Sequence, residues 1–139
     1  MNILILGKGY VGNYINDRLT KTASWEQPTK LASVDFESRK QFDYTNLNTL
    51  AKRFESKKYD YVINCSGFTG RPNVDEGESK KDLCYKLNTF VPFGVSSMCK
   101  LHDINYIHIS SGCIYTGYTK QYTEEDEPNF GLFSEESST

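Results

Sequence analysis

Hydrophobic positions along the chain switch between two spacings, and the switches mark out the elements. Ile3-Leu4-Ile5-Leu6 is a continuous apolar run, the pattern of a strand buried on both faces. Beyond Gly7 the spacing changes. Val11, Tyr14, Ile15, Arg18 and Leu19 fall at i, i+3, i+4, i+7 and i+8, which predicts a helix with one largely apolar face. Trp25 to Thr29, with Pro28, reads as a loop, and Leu31 to Val34 predicts a short second strand ending at Asp35. Leu47, Leu50, Ala51 and Phe54 return to helical spacing after Thr45-Asn46, either of which can serve as the N-cap. Tyr59 to Asn64 predicts a third strand closing in the small residues Cys65-Ser66-Gly67, and the Gly and Pro content of Phe68 to Gly77 marks a loop. A helical stretch from about Ser79 to His102 turns Leu83, Leu87, Phe90, Val91, Val95, Met98 and Leu101 inward, with Pro92 kinking it or starting a second helix. Ile104, Tyr106, Ile107 and Ile109 give the fourth strand its β-branched and aromatic density.

This β-α-β-α-β-α-β order predicts an α/β fold, a Rossmann-like doubly wound parallel sheet with its first four strands in the order 3-2-1-4. Residues 1–117 hold all of these elements and are expected to form one domain. Residues 118–139 lack periodicity, are rich in Glu, Ser and Thr, and read as an irregular tail.

Bulk properties narrow the function. A chain of 139 residues has room for one domain with a real core, and a net charge of −2 argues against a sequence-independent nucleic-acid binder. The apolar runs are too short to span a membrane, and the N-terminus lacks the pattern of a signal peptide. Cys65, Cys84, Cys99 and Cys113 show no CxxC spacing, so the expectation is reduced thiols in a cytoplasmic protein. His102 and His108 have no ligand-like spacing, and no metal site is expected.

The candidate chemistry lies at the strand ends. Gly7-Lys8-Gly9-Tyr10-Val11-Gly12 is a GxGxxG turn between a strand and a helix, the context in which that motif signifies dinucleotide binding. Its glycines permit a tight turn and let backbone N–H groups approach a pyrophosphate at the helix N-terminus. Asp35 follows Gly12 by 23 positions, close to the ~20 expected for the acid that grips a ribose 2′-hydroxyl. An acid there favours NAD, whereas Ser38, Arg39 and Lys40 just beyond suit the 2′-phosphate of NADP. Both cofactors stay open, as does the plainer reading of Asp35 as part of a surface charge cluster. Arg71, planar and permanently charged, is placed to meet an anion such as a diphosphate. After the fourth strand, extended geometry would put Ser111 and Cys113 on one face, a hydroxyl beside a thiol.

Together these residues resemble the extended short-chain dehydrogenase/reductase family. Asn64-Cys65-Ser66-Gly67 resembles its Asn-Ala-Ala-Gly, and Ser110-Ser111-Gly112-Cys113-Ile114-Tyr115 its Ser-Ser-x-x-Val-Tyr. Thr69-Gly70-Arg71-Pro72-Asn73-Val74-Asp75, Gly112-Cys113-Ile114 and Glu124 to Phe130 are similar to the nucleotide-sugar epimerase/reductases that make rhamnose from a 4-keto-6-deoxy sugar. The resemblance implies that Gly7, Gly9, Tyr10, Val11 and Gly12 hold the pyrophosphate and that Asp43 and Tyr44 lie near the adenine. It implies that Cys65, Ser66, Gly67 and Asn88 complete the cofactor site, and that Thr69, Arg71 and Asn73 meet a nucleotide-sugar substrate. Ser111 would hydrogen-bond the substrate carbonyl, and Cys113 would be the acid/base of C3/C5 epimerisation, as in the similar GDP-fucose synthases.

Two departures stand out. The glycine turn is one residue shorter than the family's usual Gly-x-x-Gly-x-x-Gly, and no tyrosine is followed by Lys four positions later, so the Tyr-x-x-x-Lys proton donor is absent. The chain is therefore expected to lack the later strands and the sugar-binding lobe. It would bind NADP or NAD but need a complementing C-terminal half to reduce a sugar; as partners, that half and a homo-oligomer both stay open. The competing expectation is a non-catalytic dinucleotide-binding module that regulates or scaffolds a partner.

Overall fold

β1 (Asn2–Leu6) is central because it is apolar on both faces: Leu4, Ile5 and Leu6 are fully buried and Ile3 nearly so. In the computed structural model, which describes residues 1–20, 33–70, 75–110, 115, 121–127 and 129, β1 pairs in parallel with β2 (Ser33–Glu37) and β3 (Tyr61–Asn64). β4 (Asn105–His108) pairs in parallel with β3. Successive β1 residues point to opposite faces. Ile3 and Ile5 pack with Ile15 and Leu19 of α1 (Tyr10–Thr20), and with Val34 and Phe36. Leu4 and Leu6 join Leu50 and Phe54 of α2 (Leu47–Ser56), with Val91, Val95 and Cys99 of α5 (Val91–Leu101). Each fully buried aliphatic side chain contributes about 1.5–3 kcal/mol, so β1 alone anchors both layers.

The parallel, doubly wound class is the one the pattern predicts, but the strand order is β2-β1-β3-β4 rather than 3-2-1-4. The reason lies in β2, which runs on through Asp35 to Glu37 instead of ending at Asp35. Its apolar residues, Val34 and Phe36, face α1, and the alternate positions are the carboxylates Asp35 and Glu37. A strand charged on one face suits an edge, so β3 takes the free side of β1.

Those two carboxylates are neutralised from α2 and its C-cap. Asp35 accepts hydrogen bonds from Lys57 Nζ at 2.8 Å and from the Tyr59 hydroxyl, and lies 3.6 Å from Arg53. Arg53 also reaches Glu37 at 3.4 Å and lies over the Phe42 ring. Burial alone would raise the Asp35 pKa. The hydrogen bonds from Lys57 and Tyr59, with both neighbouring cations, outweigh it and hold the carboxyl below its usual value. Burial and the bond to Asp35 push Tyr59 up to about 12.

Between β3 and β4 the helical stretch expected from the periodicity, with a kink or a new helix at Pro92, is observed as α3 (Glu76–Ser79), then α4 (Lys81–Tyr85), a π-helical turn (Lys86–Phe90) and α5 running on without a gap. Pro92 follows directly on the π-helical turn, inside a continuous helical stretch, where it has no N–H to bond a carbonyl one turn earlier. The buried stripe is Leu87, Val91, Val95 and Cys99, while Leu83, Phe90 and Leu101, expected inside, are exposed. The four buried residues recur every fourth position; Phe90 and Leu101 fall off that line, and Leu83, one step earlier on it, lies on the far side of the π-helical turn. α2 starts at Asn46, whose side chain accepts from the N–H groups of Asn48 and Thr49.

Residues Met1–Ile109 form one compact unit and Ser110–Thr139 a second. In the second unit, the Tyr115 hydroxyl lies 2.9 Å from the Thr123 and Asp126 carbonyl oxygens, and the Tyr115 and Tyr122 rings stack at 4.5 Å. Among the described residues no helix is long and apolar enough to cross a membrane.

Because the folded-state pKa of Asp35 is depressed, its contribution is present above the unfolded carboxylate value and disappears as pH falls through the folded one. Asp35→Asn should therefore be less stable than wild type in urea at pH 7, with the gap closing below about pH 4. A gap independent of pH would assign the loss to packing instead.

Candidate functional site

Where the order of the parallel strands reverses, between β1 and β3, a crevice is left at their carboxyl termini. Gly7 follows β1 and Cys65 follows β3 there. Cys65 N–H donates to the Leu6 carbonyl at 2.8 Å, and Gly7 N–H donates to Glu37 at 2.9 Å. The strand ends are thus knit together by backbone bonds.

The three glycines of the turn do different work. Gly7 has φ of +101°, and a Cβ there would lie 2.8 Å from Ser66 N and 2.9 Å from Cys65 backbone atoms. A Cβ on Gly12 would lie 2.0 Å from the Gly7 carbonyl oxygen, so its bareness lets α1 settle onto the end of β1. A Cβ on Gly9 would meet nothing within 4 Å, because Gly9 borders open space. That space is a cleft of about 650 Å³ bordered by Gly9, Tyr10, Val11, Cys65, Gly67, Thr69, Glu76 and Lys80. Tyr10, at the start of α1, is 90 % exposed beside it. The first turn of α1 has no acidic side chain, leaving the positive end of its dipole for an anion.

A second hollow of about 290 Å³ shares Gly9, Cys65 and Gly67 with the first and adds Gly7, Lys8, Arg39, Tyr44 and Ser66. Asp43 lines a third, of about 350 Å³, that also contains Arg39. Burial pushes the Cys65 thiol up, so it forms a neutral wall rather than a nucleophile.

Two asparagines shape the β3 side. Asn64 is fully buried; its Oδ1 accepts from Ser66 N at 3.0 Å and Ser66 Oγ at 2.6 Å, while its Nδ2 donates to Tyr106 Oη at 3.0 Å. These bonds fold Cys65-Ser66-Gly67 into a turn. Asn88, in the π-helical turn, accepts from Phe68 N–H at 2.7 Å and donates to Phe68 O at 2.8 Å.

The structure thus gathers Gly7, Gly9, Tyr10, Val11, Tyr44, Cys65, Ser66, Gly67 and Thr69 around the crevice, with Asp43 at its flank. Three of the expected residues make other contacts in this structure. Gly12 packs the helix onto the strand and lines none of the three hollows. Asp35 lies mid-strand opposite Leu4, tied to Lys57 and Tyr59, because β2 extends two residues past it. Asn88 spends both ends of its amide on the Phe68 backbone and acts on the loop. Ser111, Cys113, Arg71 and Asn73 lie outside the described residues. The residue pattern did not single out Lys8, Glu76, Lys80 or Asn64. Of these only Asn64 carried a signal, a polar amide closing an apolar strand before a glycine turn.

Residues 1–130 match the RmlD substrate binding domain family. The chain is 33 % identical over 89 residues to a trifunctional UDP-glucose 4,6-dehydratase/UDP-4-keto-6-deoxy-D-glucose 3,5-epimerase/UDP-4-keto-L-rhamnose-reductase of Arabidopsis thaliana, across 59 % of this chain and 13 % of that protein. It is 35 % identical over 83 residues to the bifunctional dTDP-4-dehydrorhamnose 3,5-epimerase/dTDP-4-dehydrorhamnose reductase of the same plant, across 55 % of this chain and 28 % of that protein. Among solved structures, a dTDP-4-dehydrorhamnose reductase of Clostridium acetobutylicum superposes with a TM-score of 0.75 at 30 % identity, over 93 % of this chain and 43 % of that one. The UDP-rhamnose synthase of Acanthamoeba polyphaga mimivirus also gives 0.75, at 25 % identity over 94 % and 46 %. The chain therefore spans less than half the length of each of these relatives.

Gly9→Val should leave the thermal midpoint near wild type while abolishing dinucleotide binding; unchanged affinity by fluorescence titration would remove the turn from the site. Gly12→Ala should lower unfolding stability by about 3 kcal/mol, since the added methyl meets backbone. Asn88→Ala should weaken dinucleotide affinity by about tenfold through a loosened Phe68 loop, seen as faster amide exchange at Phe68. Unchanged exchange there would show that Asn88 does not hold the loop.

Proposed function

The chain belongs to the RmlD substrate binding domain family, and we propose that it is the NAD(P)-binding part of a nucleotide-sugar epimerase/reductase of rhamnose-type deoxysugar synthesis. The observation that carries this reading is the bare Gly9 edge of the 650 Å³ cleft, beside the positive end of α1, whose first turn holds no acidic side chain. A diphosphate fits that cradle, with Gly7, Gly9, Tyr10 and Val11 presenting backbone and Cys65, Ser66 and Gly67 forming the facing wall. The nicotinamide, when bound, supplies the hydride for reduction of a 4-keto group.

The chain's own residues take the remaining roles in this proposal. Ser111 donates a hydrogen bond to the keto oxygen. Cys113 removes and returns the protons α to that carbonyl, a task open to a thiol whose ordinary pKa is near ~8.5. Thr69, Arg71 and Asn73 meet the nucleotide sugar. The Tyr-x-x-x-Lys pair that protonates the reduced oxygen comes from a complementing half, in a cytoplasmic setting, and the cofactor domain extends over residues 1–117.

A second reading is a non-catalytic dinucleotide-binding module, for which the crevice beside Gly9 suffices by itself. One experiment separates the two. The chain is incubated in deuterium oxide with a dTDP- or UDP-linked 4-keto-6-deoxy sugar and NADPH. Deuterium at C3 and C5 in wild type, lost in Cys113→Ser, supports the enzyme; dinucleotide binding without exchange supports the module.

A further inference from the structure

Two ion pairs tie α3 to the lysines that follow it, and they lie in different places. Lys81 pairs with Glu78 at 2.9 Å in open solvent, the side chains 73 % and 80 % exposed, a surface bridge worth little. Lys80 pairs with Glu76, one helical turn apart, and both residues border the 650 Å³ cleft that Gly9 and Tyr10 also line. The Glu76 side chain is only 26 % exposed there. Their bond uses Glu76 Oε1 and one of the three ammonium protons of Lys80. Among the described residues Glu76 Oε2 accepts no hydrogen bond and Lys80 makes no second one, so the cleft is offered an acceptor and a donor side by side. Tyr10 adds an exposed ring that makes no ring or cation contact among the described residues.

We propose that Glu76 and Lys80 together read neighbouring hydroxyl groups on a sugar ring, with Tyr10 as the apolar platform for that ring. The inference rests on the function proposed above and deepens it. The pair is neutral as a whole, and this sets the class of ligand. An anion could take Lys80 only by leaving the Glu76 carboxylate uncompensated in the cleft, and a cation would strand Lys80 in the same way. A hydroxyl group leaves the pair intact, because it is donor and acceptor at once. One hydroxyl donates to Glu76 Oε2 while its neighbour accepts from Lys80 Nζ, and both bonds gain strength from the charged partner. The C–H bonds of a sugar ring carry slight positive charge and suit the negative face of an aromatic ring. Few polar groups set in a largely apolar cleft are also the usual means of fixing a small ligand's orientation. Two rings of the proposed complex carry such a diol, the nicotinamide ribose and the hexose of the nucleotide sugar.

The test titrates the full chain with ADP, ADP-ribose and 2″-deoxy-ADP-ribose, and, at saturating NADP, with UDP, UDP-glucose and UDP-2-deoxyglucose. Wild type is compared with Glu76→Gln and Lys80→Met, which keep the side-chain shapes, and with Glu78→Gln in the solvent pair as control. In at least one of the two series, wild type should bind the deoxy ligand about tenfold more weakly than its parent. Glu76→Gln and Lys80→Met should lose about tenfold for that parent alone and bind parent and deoxy ligand nearly alike. ADP, UDP and every ligand of Glu78→Gln should keep their wild-type affinity. An effect in the ADP-ribose series places the diol on the nicotinamide ribose, and one in the UDP-glucose series places it on the hexose. Equal wild-type affinity for parent and deoxy ligand in both series would overturn the inference while leaving the cofactor reading intact, whether or not the variants fold. Losses shared equally by ADP and UDP would overturn it too, by showing a charge effect on the phosphates. So would variant and deoxy losses that simply add, because the side chain and the hydroxyl would then act independently. Failure of ADP and ADP-ribose alike to bind would overturn the cofactor reading and this inference with it.

Discussion

The Gly7 carbonyl oxygen fills the place where a side chain on Gly12 would begin, 2.0 Å from an ideal Cβ. The rest of the crevice follows from that approach. It seats α1 on the end of β1 and turns the chain at Gly7 into the left-handed region, which leaves Gly9 facing open space. The same Gly7 is hemmed in by the Cys65 and Ser66 backbone at 2.8–2.9 Å, so the two strand ends fix each other's position. The site is thus built mainly from backbone shape. Backbone shape can recognise a diphosphate without a single charged side chain, because helix dipole and N–H groups supply the positive field.

What the residue pattern revealed, and what it hid, divides along the same line. β1, the glycine turn and α1 are contiguous, and each leaves its own mark: an unbroken apolar run, three glycines at fixed offsets and a helical period. Strand order is not contiguous information. It depended on whether β2 or β1 would accept β3, and the clue was the alternation of Val34 and Phe36 with Asp35 and Glu37. Stopping the strand at Asp35 hid that alternation, and the same early stop made Asp35 look like a strand-end acid. The π-helical turn was invisible for another reason. Leu87, Val91 and Val95 keep an ordinary helical spacing across it, and only the exposure of Leu83 and Phe90 betrays the change.

Asparagine side chains reinforce this backbone architecture. Asn64 sits where an apolar strand must become a turn, and its amide binds both the turn at Ser66 and the neighbouring strand at Tyr106. Asn88 holds Phe68 by both N–H and C=O, as a strand partner would. A carboxylate in either place would satisfy only donors and would bring charge into the crevice, repelling the anion the glycine turn is shaped to receive. An amide offers a donor and an acceptor without charge. Its value at these positions is geometric and electrostatic together.

Cofactor recognition and sugar chemistry therefore make separable demands on the sequence. The recognition proposed above rests on Gly7, Gly9, Gly12, Asn64 and Asn88, all within the unit Met1–Ile109. The proposed chemistry needs Ser111 and Cys113 beyond that unit, and a tyrosine and lysine at a spacing these 139 residues do not contain. A protein can keep the first set and drop the second without disturbing β1 or the crevice. The two proposed readings, enzyme and binding module, would consequently share one cofactor site and differ only in what acts on the bound nicotinamide. Affinity for a dinucleotide says nothing about which of them a chain of this family is, whereas proton exchange at the sugar does.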